Sequence, residues 1–203
     1  MKYLRIATLG FTMCGAAAAQ AQMGGAMAPG APAVAPGSPV DPAKSLDAAL
    51  SRVESLWMGA AKAMPAEKYG FKPSAANFAA GQGVKFDGVR SFAEIATHTI
   101  QGNYGAFSAI GGIKPDLDPK TLGTLTSKED IVKAMAETFA FAHKAVANVT
   151  SANAFNSVRG LQTPVSMFAG AVGHAEDEYG QAVEYLRMNG IVPPASETPM
   201  RPM

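Results

Sequence analysis

Apolar side chains recur every three to four residues along four stretches of the chain, the pattern expected of helices that bury one face. These stretches cover about residues 41–64, 91–112, 127–148 and 163–189. The alternating pattern of a β-strand is almost absent, and no internal repeat is visible. The sequence therefore predicts an all-α fold built on four helices.

Capping residues mark where these predicted helices begin and end. Asp41-Pro42 places an N-cap before a proline at the first helical position. Ser91 opens a Ser-x-x-Glu capping box, and Ser127 precedes an acidic first turn. Gly190, followed by two prolines, suits the left-handed residue that ends a helix. Local sequence thus agrees with the apolar pattern on the same four elements.

Two long connections suggest how the helices are joined. Residues 67–90, rich in glycine, separate the first two helices, and residues 115–126 lead to the third. Four helices with long connections are typical of a four-helix bundle with a crossover. Long structured loops often pack over a site, so we expect residues 67–90 to cover the mouth of a pocket.

The N-terminal segment has the pattern of an export signal. A basic start precedes an uncharged apolar run over residues 6–19, and a small-x-small cleavage pattern ends at Ala21. The run is too short for a membrane-spanning helix. Lipidation at Cys14 is an alternative that its neighbours fit poorly. Residues 1–21 are therefore predicted to be a signal peptide of a bacterial protein that is periplasmic or secreted.

The remaining chain divides into a linker, one domain and a tail. Residues 22–40 are uncharged and rich in Gly, Ala and Pro, which predicts a flexible linker because little surface could be buried. Residues 41–196 are long enough for one domain with a substantial core. Residues 197–203 are predicted to form a disordered tail.

Charge and cysteine content limit the partners and the chemistry. The chain carries 17 basic and 16 acidic residues, for a formal net charge of +1. No basic stripe is present, so neither nucleic acid nor an anionic membrane is an expected partner. Cys14 is the only cysteine and lies in the predicted signal peptide, so the exported form has no disulfide.

Candidate chemistry centres on three residues from two predicted helices. His174 and Glu178 are four residues apart and lie on one side of the fourth helix. His98, on the second helix, can supply a third ligand for a divalent metal with open positions. A solvated surface pair and a packed histidine are the alternatives. His143 would be a further ligand only if the third helix faced the site, and adjacent Lys144 favours the surface.

A helical projection predicts a polar strip along the fourth helix. His174 and Glu178 project away from the main apolar stripe, which includes Val172. Gln181 and Tyr185 lie close to the line of His174 and Glu178. We therefore expect Gln181 and Tyr185 to orient a substrate beside the metal.

Three blocks of sequence resemble one family. They are AMPAEKYGFKP at residues 63–73, SFAEIATH at residues 91–98, and the segment that begins HAEDEYGQ at His174 and continues YLRMNGIVPPAS to residue 196. In these blocks the chain resembles the DinB family of four-helix metalloproteins. The likeness covers nearly the whole predicted domain, and its third block is the most specific.

The resemblance implies a DinB-like four-helix bundle, frequently a homodimer, with a divalent metal held by three histidines. One histidine of the family lies on the second helix and two lie on the fourth, spaced His-x-x-x-His. His98 and His174 match two of them, and Glu178 stands in the third position. A carboxylate can bind Zn²⁺ and shifts preference towards Ni²⁺, Mn²⁺ or Fe²⁺, so the sequence leaves the metal's identity open.

Family members with known roles include thiol-dependent transferases and isomerases. Their thiols are cytosolic, whereas this chain is predicted to be exported. The resemblance therefore favours a metal-dependent hydrolase or transferase that acts on a small-molecule substrate of unknown identity. The alternatives are a non-catalytic bundle that binds a small ligand or metal, and a degenerate structural homologue that lost its site through Glu178.

Overall fold

Residues 34–197 are the part of the chain that the structure, a computed structural model, describes. The predicted signal peptide and residues 22–33 of the predicted linker lie outside this part, as do residues 198–203 of the predicted tail. Within residues 34–197 the chain is helical and contains no β-strand, only an isolated bridge between Arg159 and Gln162. The all-α prediction is therefore confirmed for the described residues.

Four long helices correspond to the four predicted ones, and two short helices were not predicted. The long helices are α1 (Pro42–Ala63), α2 (Phe92–Gly111), α4 (Lys128–Val146) and α5 (Pro164–Met188), and the short ones are α3 (Pro119–Leu122) and α6 (Pro194–Glu197). None of the helices within residues 34–197 has the length and apolar character to cross a membrane.

The long helices begin where their capping residues predict. The side chains of Asp41, Ser91, Ser127 and Thr163 each accept a hydrogen bond from the backbone N–H three residues later. Each bond satisfies one of the N–H groups that the first turn of a helix leaves without an intrahelical partner. The starts of all four helices are thus set by local sequence.

The end of α5 is a Schellman turn centred on Gly190. This glycine has a φ of 74°, the left-handed conformation expected from the sequence. The N–H of Ile191 donates to the carbonyl of Leu186 at 3.0 Å, and the N–H of Gly190 donates to the carbonyl of Arg187 at 2.9 Å. Beyond this turn, α6 packs on α1, and its last residue is Glu197, the first residue of the predicted tail.

The four long helices share one core. Both α1 and α2 pack against α4 and α5. The apolar faces predicted for α2 and α4 are buried, and the side chains of Trp57 and Tyr104 are fully enclosed. Trp57 also donates its indole N–H to the carbonyl of Ala175 in α5 at 2.8 Å. This bond fixes α1 against the helical turn that carries His174.

The buried face of α5 differs from the predicted one. Its inner face combines apolar and aromatic side chains with three alanines and one carboxylate: Pro164, Phe168, Ala171, Ala175, Glu178, Ala182, Tyr185 and Leu186. Val172, which we placed on the buried stripe, is only half-buried. The projection weighted residues by hydrophobicity, but alanines allow a neighbouring helix to approach closely and so define the inner face. Glu178 therefore points into the protein rather than away from the apolar side.

Candidate metal centre

The three predicted ligands meet between α2 and α5. The Nε2 atoms of His98 and His174 are 3.2 Å apart. The Oε1 atom of Glu178 lies 3.6 Å from Nε2 of His98 and 3.8 Å from Nε2 of His174. Two packed helices thus bring together one ligand from α2 and two, one turn apart, from α5.

These distances suit a divalent ion. Two ligand atoms bound at about 2.0–2.1 Å to a tetrahedral ion lie about 3.3 Å apart. The triangle formed by His98, His174 and Glu178 has sides of 3.2, 3.6 and 3.8 Å, close to one face of such a tetrahedron. Three protein ligands leave a coordination position open, as in catalytic rather than structural zinc sites.

Glu178 provides an independent sign that a cation belongs here. Its side chain is only 6 % exposed, and its buried Oε2 atom has no hydrogen-bond partner among the described residues. A buried carboxylate is costly unless a donor or cation compensates its charge. The Arg90 guanidinium approaches only to 3.9 Å from Oε1. A bound metal would supply the missing compensation.

The environment of His98 favours its neutral form, and both histidines face outward. Burial, then the charge of Arg90 and that of His174, lower the pKa of His98, although Glu178 opposes them. The neutral imidazole is the form that binds a metal. The side chains of His98 and His174 are 38 and 34 % exposed, so the outer side of the triangle is open to solvent.

Arg90 is a site residue that sequence reasoning did not single out. It ends the loop of residues 67–90, and its guanidinium lies beside Glu178. Tyr185 holds this end of the loop, because its hydroxyl donates to the Arg90 carbonyl at 2.9 Å. The only sequence signal for this role is the position of Arg90, a single positive charge directly before Ser91, the residue that caps α2.

The two residues predicted to bind substrate occupy different environments. Tyr185 is buried, and its ring packs edge-on against Phe71 at 5.6 Å. Burial, then the charges of Glu178 and Glu94, raise the pKa of Tyr185. Gln181 is exposed, and its amide donates to the Asp177 carboxylate at 3.4 Å. Substrate binding by Gln181 and Tyr185 stays a prediction.

A pocket of about 290 Å³ adjoins the triangle between α2 and α5. His174 lines the pocket, together with Asn103, Ser166 and small residues such as Gly102 and Gly170. No residue of the loop over residues 67–90 contributes to this lining, and the loop reaches the triangle through Arg90. That the loop covers the mouth of a pocket stays a prediction.

His143 lies apart from the triangle. It is half-buried in α4, with Nδ1 2.6 Å from Oδ1 of Asp47 and Nε2 3.1 Å from Oε2 of Glu54, both on α1. Burial by itself lowers the pKa of His143, but hydrogen bonds to Asp47 and Glu54 and the charges of both carboxylates outweigh it and raise the pKa. His143 therefore links α4 to α1 and contributes no ligand to the triangle.

Comparison with known proteins assigns no family. No protein-family model and no curated protein matches the chain. The support for a function is therefore the geometry itself, a group of His98, His174 and Glu178 that can hold a metal ion.

Proposed function

We propose that the chain is a DinB-like metalloprotein in which His98, His174 and Glu178 hold one divalent transition metal. In this proposal the four long helices form a four-helix bundle with a long crossover connection. The observation that carries the proposal is the triangle of two imidazole nitrogens and one buried carboxylate, whose Oε2 atom has no hydrogen-bond partner among the described residues. Its dimensions suit a divalent ion, and its ligands come from two helices that pack directly against each other.

The activity that this geometry supports best is metal-dependent hydrolysis or group transfer on a small molecule. A divalent metal, when bound, polarises a substrate oxygen or lowers the pKa of water or of a thiol. His174 belongs to both the triangle and the pocket, so a ligand in the pocket lies beside the open side of the centre. The Arg90 guanidinium adds positive charge that would stabilise negative charge developing on the substrate.

The ligand types limit which metals are expected to bind but do not identify one. Imidazole suits Zn²⁺, Ni²⁺ and Fe²⁺, whereas a carboxylate is also a good ligand for Mn²⁺. Glu178 places one negative charge against the ion, which makes a bound water less acidic than in a site of three neutral ligands. We therefore expect Zn²⁺, Ni²⁺, Mn²⁺ or Fe²⁺ to bind.

Non-catalytic binding of a small ligand is the second candidate function. Apart from His174, the residues that line the pocket, such as Asn103, Gln162 and Ser166, do not titrate near neutral pH. Within that lining a proton could be transferred only by His174, which the proposal already assigns to the metal. Negative hydrolase and transferase screens on metal-loaded protein, with a small molecule retained through purification, would favour this second candidate.

Elemental analysis of the purified protein tests the proposed metal site. We expect about one equivalent of a transition metal per chain, and its loss in His98→Ala, because two remaining ligands bind a metal weakly. His143→Ala is the matched control, since His143 is also half-buried but pairs with carboxylates of α1. If no form takes up metal after reconstitution with several divalent ions, the chain is better described as a degenerate structural homologue.

Export and self-association complete the proposal. Export rests on the pattern of residues 1–21, and a homodimer rests on the DinB resemblance. N-terminal sequencing of protein expressed with its native leader should show cleavage after Ala21. Light scattering on the same sample should give the mass of a dimer.

A further inference from the structure

We infer that the pocket beside His174 binds the uncharged organic part of a small-molecule ligand, with Asn103 as the residue that selects it by a hydrogen bond. This inference rests on the proposed function, because the metal would hold the other end of the ligand. It assigns the substrate a chemical class: a small molecule with one metal-binding group and an uncharged hydrogen-bonding group near its other end.

Asn103 is the observation from which the inference starts. Its side chain lies on α2, lines the pocket and is 4 % exposed. Its buried Oδ1 atom has no hydrogen-bond partner among the described residues. Buried amides are nearly always paired, because an unpaired one loses its bonds to water without replacement. Because Asn103 lines the pocket, a rotation of its side chain would bring the amide, which offers both a donor and an acceptor, to a ligand with an uncharged hydrogen-bonding group.

The composition of the pocket wall sets the charge of the ligand. Its polar members, Asn103, Gln162 and Ser166, are uncharged, and its other members besides His174 are small or apolar. Within residues 34–197, no lysine, arginine or carboxylate belongs to this wall. A charged ligand tail would lose its hydration there without gaining a counter-charge. The pocket should therefore exclude ionised tails.

The size of the pocket sets the size of the ligand. Its volume of about 290 Å³ lies at the lower end of the range of about 300–1,000 Å³ found for small-molecule sites. Gly170 helps to create this space, because a Cβ atom there would meet no atom within 4 Å. Gly102 does so on the facing helix, where a Cβ atom would stand 3.2 Å from Cε1 of His174. A polymer or a folded peptide would not fit.

Hydroxamic acids are suitable probes, because one end chelates a metal while the tail can be varied. The series runs from acetohydroxamic to hexanohydroxamic acid, with analogues that end in a hydroxyl or a carboxylate. Binding is followed by the visible absorption of Co²⁺-loaded protein. Each buried methylene strengthens binding at most about fourfold, so the four methylenes added in this series set a ceiling of about 250-fold. Because the pocket is partly open, we expect the longest neutral tail to bind at least about tenfold more tightly than acetohydroxamic acid. The carboxylate-ended analogues should bind more weakly than the neutral ones.

Gly170→Leu tests whether the tail lies in the pocket. The new side chain would fill open space, so binding of long-tailed probes should fall to the level of acetohydroxamic acid. Gly173→Leu is the matched control: it is also an exposed glycine of α5 with nothing within 4 Å of its Cβ position, but it does not line the pocket. Equal effects of the two substitutions would overturn the assignment of the pocket.

Asn103→Leu tests the selecting residue. We expect the metal-free protein to be as stable as wild type or more so, because an unpaired buried amide is removed. Wild type should bind hydroxyl-ended tails more tightly than plain ones, and this preference should disappear in Asn103→Leu, whereas acetohydroxamic acid should bind as before. A preserved preference would overturn the role of Asn103.

The two proposals fail in different ways. If Co²⁺ gives no ligand-field spectrum with wild-type protein, the metal site is wrong and this inference falls with it. If Co²⁺ binds but tail length, tail charge and Gly170→Leu make no difference, the metal site stands and the pocket assignment is wrong.

Discussion

Glu178 occupies a position that its helix otherwise gives to small or apolar residues. It shares the inner line of α5 with Ala171, Ala175 and Ala182, and its carboxylate is almost completely enclosed. Such a position favours a neutral side chain unless a cation binds there. The charge of Glu178 should therefore destabilise the metal-free protein and strengthen the binding of a metal.

The first prediction concerns this charge. Glu178→Gln keeps the shape of the side chain but removes its charge, so we expect metal affinity to fall at least about 10–100-fold, the loss typical of much milder perturbations of metal sites. The free energy of unfolding of the metal-free protein should stay the same or rise, because an uncompensated buried charge is removed. Metal titration and urea unfolding measure the two effects.

Asp177→Asn is the matched control for this substitution. It removes one carboxylate from the preceding position of the same helix, but Asp177 is exposed, and its carboxylate accepts a hydrogen bond from Gln181. Metal affinity should be unchanged in this variant. A similar loss of affinity in both variants would mean that general electrostatics, not coordination by Glu178, holds the ion.

At the scale of single residues, the sequence identified the three candidate ligands but not the residues that surround them. Helical spacing placed His174 and Glu178 on one side of α5, and the structure brings His98 to them. Arg90 and Asn103 could not be predicted, because their importance depends on which neighbouring groups are buried beside them. Only tertiary packing determines that Asn103 lacks a partner and that Arg90 approaches Glu178.

At the scale of the elements, α2 and α4 approach each other closely at Gly111. A Cβ atom on this glycine would lie 2.6 Å from the Cα of Ala145, inside any normal contact distance. The contact involves backbone on both sides, so it cannot be relieved by rotating a side chain. Gly111 therefore permits the separation at which these two helices pack.

The second prediction follows from this contact. Gly111→Ala should lower the free energy of unfolding by about 1–3 kcal/mol, because the helices must move apart. Gly105→Ala, on the same helix but with nothing within 4 Å of its Cβ position, should raise it by up to about 1 kcal/mol through helix propensity. Urea unfolding compares the two. Equal changes in the free energy of unfolding would mean that the close approach of α2 and α4 does not affect stability.

The third prediction concerns the contact between α1 and α4 at His143. Because the folded-state pKa of His143 is raised, its stabilising effect is fully present below about pH 6.5, the ordinary pKa, and is lost as pH rises through the raised value. Its carboxylate partners are 50 and 35 % exposed, so solvent screening should limit the effect to about 1 kcal/mol.

Unfolding of wild type and His143→Gln measures this effect, in the presence of a chelator and from about pH 5 to about pH 9. The difference in free energy between the two proteins should be largest at the acid end and should shrink towards the alkaline end. A difference that does not vary with pH would show that His143 contributes through packing rather than charge.

Helix boundaries were predictable because capping and turn residues act locally. Asp41, Ser91 and Ser127 determine where helices begin, and Gly190 where α5 ends, without reference to the rest of the fold. The inner face of α5 was not predictable in this way. That face depends on how closely the neighbouring helices approach, which a projection of hydrophobicity along one helix does not contain.

At the scale of the whole molecule, the metal centre would act as a crosslink. Its ligands come from α2 and α5, two helices distant in sequence that one ion would join. Because α2 also packs against α4, and α5 against α1, this link would involve all four long helices. The sequence predicted both the all-α class and the pairing of these two helices around a site. The arrangement of all four helices is a three-dimensional property that local patterns determine only in part.

The fourth prediction follows from mass action. Metal at about a hundredfold excess over its dissociation constant stabilises a folded protein by about 2.7 kcal/mol. For a domain of this size, that corresponds to a rise of roughly 5–10 °C in the thermal midpoint. Differential scanning calorimetry should show this rise in wild type, its reversal by a chelator and its absence in His98→Ala. A rise of the same size in His98→Ala would place the ion elsewhere.

The hydrogen bond between Trp57 and α5 allows the candidate metal centre to be followed by intrinsic fluorescence. Trp57 is the only tryptophan in the chain, is fully enclosed, and donates to the carbonyl of Ala175, the residue after His174. Its fluorescence therefore comes from one fluorophore anchored beside the candidate centre. Occupancy by a quenching ion such as Co²⁺ can be followed in the native chain without a label, and changes in emission wavelength would reveal any displacement of that helical turn.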